Sequence, residues 1–347
     1  MTTFDAREWV YFSSGNANIL LKYVGNSDPN LTKKLLRLKR VGNKNCDERI
    51  KSDLLKDYFL HSKCIELSSK FLLDLNHKLI KTNPELAVPA STNGEILLIS
   101  IFARNHGILM PNLLNEVNNT VHLGNHLKVH YGDSELVLEM KPKWLYNLKT
   151  RNCRNCCLSK YRGKQIINCP LDLLCENKIP NWSKRIVQKL RDSEHSINYI
   201  NSLELILTEF FMKNKIIGYL FMLQNRYYDS SRESYNRRIL NLKSADEVPI
   251  ELIESQTLRD VTLFLNIHSL SRNNYDIVKD TVDKPKTLIS INNDSFFEVD
   301  CKLIDLDLKT SLKFEYWKET ELKLIESGLY TSDKYGLVGC NRIVDII

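Results

Sequence analysis

The sequence predicts an α+β chain of two lobes. Three observations carry this. Strand patterns crowd the first part of the chain, a short connection stands at Met110-Pro111-Asn112, and helical spacing dominates much of the remaining chain. The expected division is a β-rich N-terminal lobe over residues 1–110 and a mixed C-terminal lobe over 111–347. A chain of 347 residues is long enough for two cores. With 43% hydrophobic and 26% charged residues it is not a disordered chain, and 12 Gly and 9 Pro exclude collagen-like or linker-rich designs.

Residues 9–24 read as strand, turn, strand, because aromatic and β-branched residues flank the small tip Ser13-Ser14-Gly15-Asn16-Ala17-Asn18. Leu36 to Arg40 alternates apolar with basic, as a half-exposed strand does. Leucines and aromatics at helical spacing predict helix over 52–81, and Glu95 to Arg104 predicts a buried strand. Leu127–Tyr131 and Glu135–Lys141 flank Gly132-Asp133-Ser134, a hairpin signal. Periodicity predicts helix through most of 183–228, richness in Arg, Asn, Ser and Tyr marks 225–245 as a surface segment, and Leu252 to Ile267 reads as one helix, either whole or broken near its end. Asn292 to Leu308 reads as a hairpin with arms Ser295–Val299 and Cys301–Leu308, followed by a helix from about Leu312.

Lys plus Arg is 49 and Asp plus Glu is 42, a net charge of +7 that suggests an anionic partner of some kind. No apolar run approaches the roughly 18–20 residues a membrane helix needs. The N-terminus lacks the basic start and apolar core of a signal peptide, so an intracellular protein is expected. Nine cysteines, with Cys153, Cys156, Cys157, Cys169 and Cys175 close together, do not form a secreted disulfide pattern. Cys153-x-x-Cys156 has the spacing of half a zinc site, but a second pair is missing. Buried thiols are expected there, and zinc is not.

Four constellations can carry chemistry. The tip around Gly15 lets backbone N–H groups approach phosphate oxygens, although taken alone it reads as an ordinary hairpin turn. Glu139, Lys141 and Lys143 fall on one face of extended backbone over about 13 Å. They are either a phosphate-neutralising line with an acid for a hydroxyl, or a solvated strand edge. Asp305 and Asp307 stand at i and i+2 in an apolar run. Buried carboxylates are costly unless paired or bound to a metal, which favours a Mg²⁺ role over a merely polar face. Asp260 enters the apolar run Leu258–Phe264, either as a general base or as a partner of Arg259 or a helix cap.

Together and in this order, these segments resemble the inositol-pentakisphosphate 2-kinases, most closely the fungal members, from about Gly15 to Trp317. The family's G-x-A-N loop is matched by Gly15-Asn16-Ala17-Asn18, and its E-x-K-P-K signature by Glu139-Met140-Lys141-Pro142-Lys143. C-R-x-C is matched by Cys153 to Cys156, and C-P-L-D-L by Cys169 to Leu173. Arg259 to Thr262 and Ile304 to Lys309 match the last two motifs.

The resemblance implies a two-lobed inositol phosphate kinase fold, distantly related to protein kinases, with nucleotide between the lobes. It implies transfer of the γ-phosphate of ATP to the 2-hydroxyl of inositol 1,3,4,5,6-pentakisphosphate, giving inositol hexakisphosphate (phytate), with Mg²⁺ as cofactor. Carried over by position, Asp260 is the base, and Asp305 holds Mg²⁺ with Asp307 beside it. Gly15, Ala17, Asn18 and Arg37 meet ATP phosphates, Glu139 the ribose, and Lys141 both ATP and substrate. Lys143, Arg162, Asn214, Lys309, Lys313 and Trp317 meet the substrate.

A monomer in the nucleus or cytoplasm is expected, with the nucleus suggested by fungal relatives, and neither membrane nor nucleic acid as partner. The chain departs from the pattern in its single-glycine loop, in Thr310 after Lys309, in Cys157-Leu158-Ser159, and in Lys313 and Trp317 where plant relatives have Arg and Tyr. The Cys/His zinc insert of plant members has no counterpart. The alternative reading is a nucleic-acid-binding protein using Cys153, Cys156 and the basic run Lys160 to Lys164.

Overall fold

The computed structural model describes residues 4–15, 17–40, 48–86, 88–89, 96–97, 99, 105–124, 126–145, 152–164, 168–193, 197, 199–229, 235–280 and 285–331. The chain is mixed α+β and divides into two compact units, Met1–Asn45 with Leu60–Asn115, and Cys46–Phe59 with Glu116–Ile347. The chain passes from one unit to the other three times, the last time after Asn115, and 46–59 groups with the later residues.

The first unit contains β1 (Trp9–Ser14), β2 (Asn18–Tyr23), β3 (Lys34–Lys39), β4 (Lys63–Glu66), α1 (Ser69–Thr82), the short pair β5 (Val88–Pro89) and β6 (Ile96–Leu97), and β7 (His106–Pro111). Its main sheet is antiparallel, in the order β1-β2-β3-β7-β4. The expected β1–β2 hairpin is present. Alternation in β2 buries Ile19, Leu21 and Tyr23, which pack with Trp9, Leu36 and Leu38. Phe71, Leu72, Leu75 and Leu79 of α1 join the same core at helical spacing.

The helix expected over 52–81 is shorter at its start. Ser68 caps α1 by accepting from the Phe71 N–H at 3.1 Å, and the residues before it form β4 and a 3₁₀ turn at Lys56–Tyr58. The apolar spacing there serves two cores rather than one helix face: Leu55 and Tyr58 belong to the core of the second unit. The strand expected over 95–104 lies largely outside the described residues.

The second unit contains β8 (Asn119–Gly124), β9 (Leu127–Tyr131), β10 (Leu136–Met140), α2 (Arg154–Tyr161), α3 (Ile179–Arg191), α4 (Ile200–Lys213), α5 (Ile216–Asp229), α6 (Tyr235–Asn241), α7 (Ile250–Leu258), β11 (Thr262–Leu270), α8 (Arg272–Val278), β12 (Lys286–Ile291), β13 (Ser295–Ile304) and α9 (Phe314–Glu326). A six-stranded antiparallel sheet runs β12-β13-β11-β10-β9-β8. Val129, Leu138, Leu263, Leu265, Val299 and Leu303 of this sheet are buried with Trp182, Ile186, Leu207 and Phe210 from α3 and α4. Each such side chain contributes about 1.5–3 kcal/mol on burial.

Three sequence expectations shift here. The single helix over 252–267 is α7 followed by β11, because the run Val261 to Ile267 is buried on both faces and shows no period to tell helix from strand. The hairpin near 300 turns earlier, at Asn292 (φ 52°) and Asn293 (φ 59°), residues that tolerate the left-handed region, and β13 runs unbroken to Ile304. The polar segment 225–245 contributes α6, whose Ile239 is buried with Leu242, Trp144 and Trp317. Among the described residues no helix is long and apolar enough to cross a membrane.

Candidate active site

Two breaks in regular structure put charged side chains at one end of the β10–β11–β13 strands. The first follows β10. Lys143 N–H donates to Lys141 O at 2.8 Å, a tight turn around Pro142 that ends the extended backbone. The expected line of Glu139, Lys141 and Lys143 on one strand face is therefore bent. Glu139 stays on the sheet, while Lys141 and Lys143 both turn to Asp260. The second break follows β13. Asp305 is left-handed (φ 64°), a conformation Asp tolerates better than most residues, and the strand stops there.

That break also separates the two carboxylates expected to share a strand face. Leu306 and Leu308 are buried, and Asp305 and Asp307 find different partners. Asp307 pairs with Arg49 at 3.4 Å. Asp305 is half-exposed and accepts from Thr262 Oγ1 at 2.6 Å and from Lys141 Nζ at 3.4 Å.

Asp260 stands between α7 and β11, its N–H donating to Thr257 O at 2.9 Å. Its side chain is 38% exposed and is wrapped by cations. Lys143 Nζ meets Oδ1 at 2.7 Å, Lys309 Nζ meets Oδ2 at 2.7 Å, and Lys141 Nζ lies 3.8 Å from Oδ1. Burial pushes the Asp260 carboxyl up, but the charges of Lys309, Lys143 and Lys141 outweigh it and hold the group well below the usual carboxylate range. The Lys143 ammonium is pushed down, chiefly by burial, with Asp260 opposing. Lys313 is pushed down by burial and by Lys309.

The cationic chain continues outward. Arg162, at the end of α2, donates to the Tyr316 hydroxyl at 2.9 Å, and Tyr316 shares a face of α9 with Lys313. His126 has no signal in the sequence. Its carbonyl accepts from the Lys141 N–H at 2.9 Å, and its ring is lowered to about 4 by burial and by the charges of Lys143, Lys141 and, less strongly, Lys164. It is a neutral ring inside a positive field at neutral pH.

Glu139 forms its own group. It accepts from Lys128 Nζ and is bonded to His130 Nε2, each at 2.9 Å, and His130 Nδ1 meets Thr120 Oγ1 at 2.8 Å. Burial raises the Glu139 carboxyl, yet those two partners bring it down to about 2.

The scaffold beneath is a buried glutamine. Gln224 Nε2 donates to Pro142 O at 3.2 Å and to Leu258 O at 3.1 Å, and its Oε1 accepts from the Leu145 N–H at 2.9 Å. Its carbonyl accepts from Ser255 and Arg259, and Arg259 lies over the Trp144 ring. One side chain thus ties the Lys141–Lys143 turn to the chain entering Asp260. A lone Gln in the apolar run of α5 carries no pattern that reveals this.

Two expected residues have other surroundings. Asn214 caps α5, accepting from the Ile216 N–H and Tyr58 hydroxyl and donating to Thr287 Oγ1. Trp317 lies on the buried stripe Phe314, Trp317, Glu321, Leu324, packed with Trp144 and Cys157. Tyr316, one residue earlier, is the exposed neighbour of Lys313. In the first unit, Gly15 N–H donates to Asn18 O, the Ala17 carbonyl accepts from Arg40, and the Gly15 carbonyl accepts from the Arg40 guanidinium. Arg37 sits opposite Leu20 and Ile108 in the sheet, and Asn16 lies outside the described residues.

The arrangement can bind several anionic groups beside a carboxylate, with a second carboxylate adjacent. A hard oxygen donor that is half-exposed, as Asp305 is, suits Mg²⁺; Asp307, held by Arg49, suits it less. Cys153 and Cys156 are buried and offer no surface to a nucleic acid, so the alternative reading loses its main feature.

Comparison with known proteins agrees with the chemistry. The chain matches the family described as inositol-pentakisphosphate 2-kinase over residues 11–198 and 220–323. It is 28% identical to an inositol-pentakisphosphate 2-kinase of Debaryomyces hansenii, over 97% of this chain and 96% of that one. It is 27% identical to that of Yarrowia lipolytica (95% and 94%) and 27% identical to that of Saccharomyces cerevisiae (65% and 68%).

Proposed function

The chain belongs to the inositol-pentakisphosphate 2-kinase family, and from that premise we propose that it transfers the γ-phosphate of ATP to the 2-hydroxyl of inositol 1,3,4,5,6-pentakisphosphate. The product is inositol hexakisphosphate. The observation that carries this reading is the convergence of Lys141, Lys143 and Lys309 on Asp260, with Asp305 alongside. Phosphoryl transfer is mostly positioning and charge neutralisation, and this cluster supplies both.

In this reading the 2-hydroxyl oxygen attacks the γ-phosphorus, its proton passes to an Asp260 oxygen, and the bond to ADP breaks. Asp260 at rest has little affinity for a proton. Substrate phosphates drawing on Lys143 and Lys309 raise that affinity, so the base gains strength when substrate arrives. Lys141 spans nucleotide and substrate phosphates. Lys143, Lys309, Lys313 and Arg162 bind substrate phosphates, with Tyr316 orienting the Arg162 guanidinium. Asp305 would hold Mg²⁺, which would screen phosphate charge, and Glu139 would receive the ribose hydroxyls. Gly15, Ala17, Asn18 and Arg37 are assigned to ATP phosphates. A protein-kinase-like fold and a monomer in the nucleus or cytoplasm go with this reading.

The test is an ATP assay with inositol 1,3,4,5,6-pentakisphosphate and Mg²⁺, on wild type and Asp260→Ala. Wild type is expected to form hexakisphosphate, and the variant to lose about 10²-fold or more in rate. No product from a folded wild type would refute the kinase reading. A variant at full speed would remove Asp260 as the base.

A further inference from the structure

We propose that Cys153, Cys156 and Cys169 hold a zinc ion. Sequence spacing offers one C-x-x-C pair and no second. The fold supplies a third sulfur from another segment. The sulfurs of Cys153, Cys156 and Cys169 all lie within 4.8 Å of one another, and all three residues are buried. Cys153 and Cys169 sulfurs are 3.6 Å apart. A disulfide requires about 2.05 Å. The edge of a tetrahedron built on zinc–sulfur bonds of about 2.3 Å is about 3.8 Å, close to what is seen. A disulfide would also use two sulfurs and leave the third facing it, whereas one cation engages all three.

The local backbone suits thiolates. Cys153 caps α2, and a helix N-terminus favours negative charge. The Cys156 N–H points at Cys153 Sγ from 3.3 Å, a donor that stabilises charge on sulfur. Cys175, partly buried, packs against the same group, while Cys157 faces the separate core of Trp144 and Trp317 and is not a ligand. On the Cys169 side, Arg185 fixes the turn by donating to Asn168 at 2.7 Å and to Asp172 at 2.6 Å. Zinc binding displaces the thiol protons to solvent and ties the start of α2 to the turn at Cys169. The chain between those two points carries Arg162 and Lys164.

The experiment is metal analysis and Co²⁺ substitution on the full-length protein purified under reducing conditions. About one zinc per chain is expected. Co²⁺ added to chelator-treated protein should give the intense near-ultraviolet thiolate charge-transfer band and the visible bands of a tetrahedral site, reversed by excess zinc. Cys153→Ser and Cys169→Ser should lose that spectrum, and Cys64→Ser, at an exposed cysteine outside the group, should keep it. In wild type, alkylation of these cysteines should be slow until a chelator is added, a readout that needs no variant. Folded wild type that takes up neither zinc nor cobalt would overturn the proposal. So would a Cys153–Cys169 disulfide found by mass spectrometry, or a cobalt spectrum that survives Cys169→Ser.

Discussion

Lys143 and Lys309 each hold one oxygen of Asp260 at 2.7 Å, and their charges keep the carboxylate ionised in a half-buried place. His126 shares that field and answers it in the opposite way, by staying neutral. Its folded value of about 4 lies below the unfolded value of about 6.5. Between these values the unfolded chain binds a proton there that the folded chain refuses. Stability is therefore lost as pH falls from 6.5 towards 4, and no further loss from this ring occurs below that. His126→Gln is expected to flatten the pH dependence of the urea midpoint across that window relative to wild type. Equal slopes for the two proteins would show that His126 is not held neutral. Glu139 behaves as an ordinary paired carboxylate: its contribution is full above 4.5 and fades as pH falls through about 2. Glu139→Gln should lower the urea midpoint at neutral pH and flatten its pH dependence between about 4.5 and about 2, where the wild-type contribution fades.

At the scale of elements, the site rests on interruptions: the turn after β10, the α7–β11 junction and the left-handed end of β13. Gln224 joins the first two, and replacing it by Leu leaves the Leu145 N–H and two carbonyls without this partner in a buried place. Each such group costs about 1–3 kcal/mol when left unsatisfied. Gln224→Leu should therefore lower the urea midpoint and reduce turnover, although the residue meets no substrate in the proposed reaction. A variant with wild-type stability and rate would show that the turn holds itself. The same interruptions mark where sequence reading succeeds and fails. The β1–β2 and β9–β10 hairpins are legible because small polar turns separate their apolar arms. The α7–β11 run is not, since full burial erases the period. Asp305 and Asp307 read as a matched pair because nothing in the letters shows a φ of 64° between β13 and Leu306. Phe314, Trp317, Glu321 and Leu324 follow helical spacing, so this buried stripe is in the sequence, and Tyr316 beside Lys313 lies on the exposed face.

For the whole molecule, a net charge of +7 says little about where an anion binds. The second unit concentrates Lys141, Lys143, Lys309 and Lys313 near the Asp260 carboxylate, with Asp305 beside Lys141, and in the proposed reaction this local surplus is what a polyphosphate meets. Lysine burial has a cost, visible in the lowered ammonium groups of Lys143 and Lys313, and a bound polyanion removes it by restoring charge balance. Inositol pentakisphosphate should therefore stabilise the folded chain. Mass action gives about 2.7 kcal/mol at a ligand concentration of about a hundred times Kd. Thermal melts with and without the ligand measure this. The shift should shrink as salt rises, because the cluster is partly exposed and its charges are screened over about 8 Å at physiological ionic strength. Unphosphorylated inositol should give no shift, and Lys309→Ala together with Lys313→Ala should remove most of it. A shift that is insensitive to salt, or one that survives the double substitution, would place the polyanion elsewhere on this basic surface and would detach the charge from the proposed site.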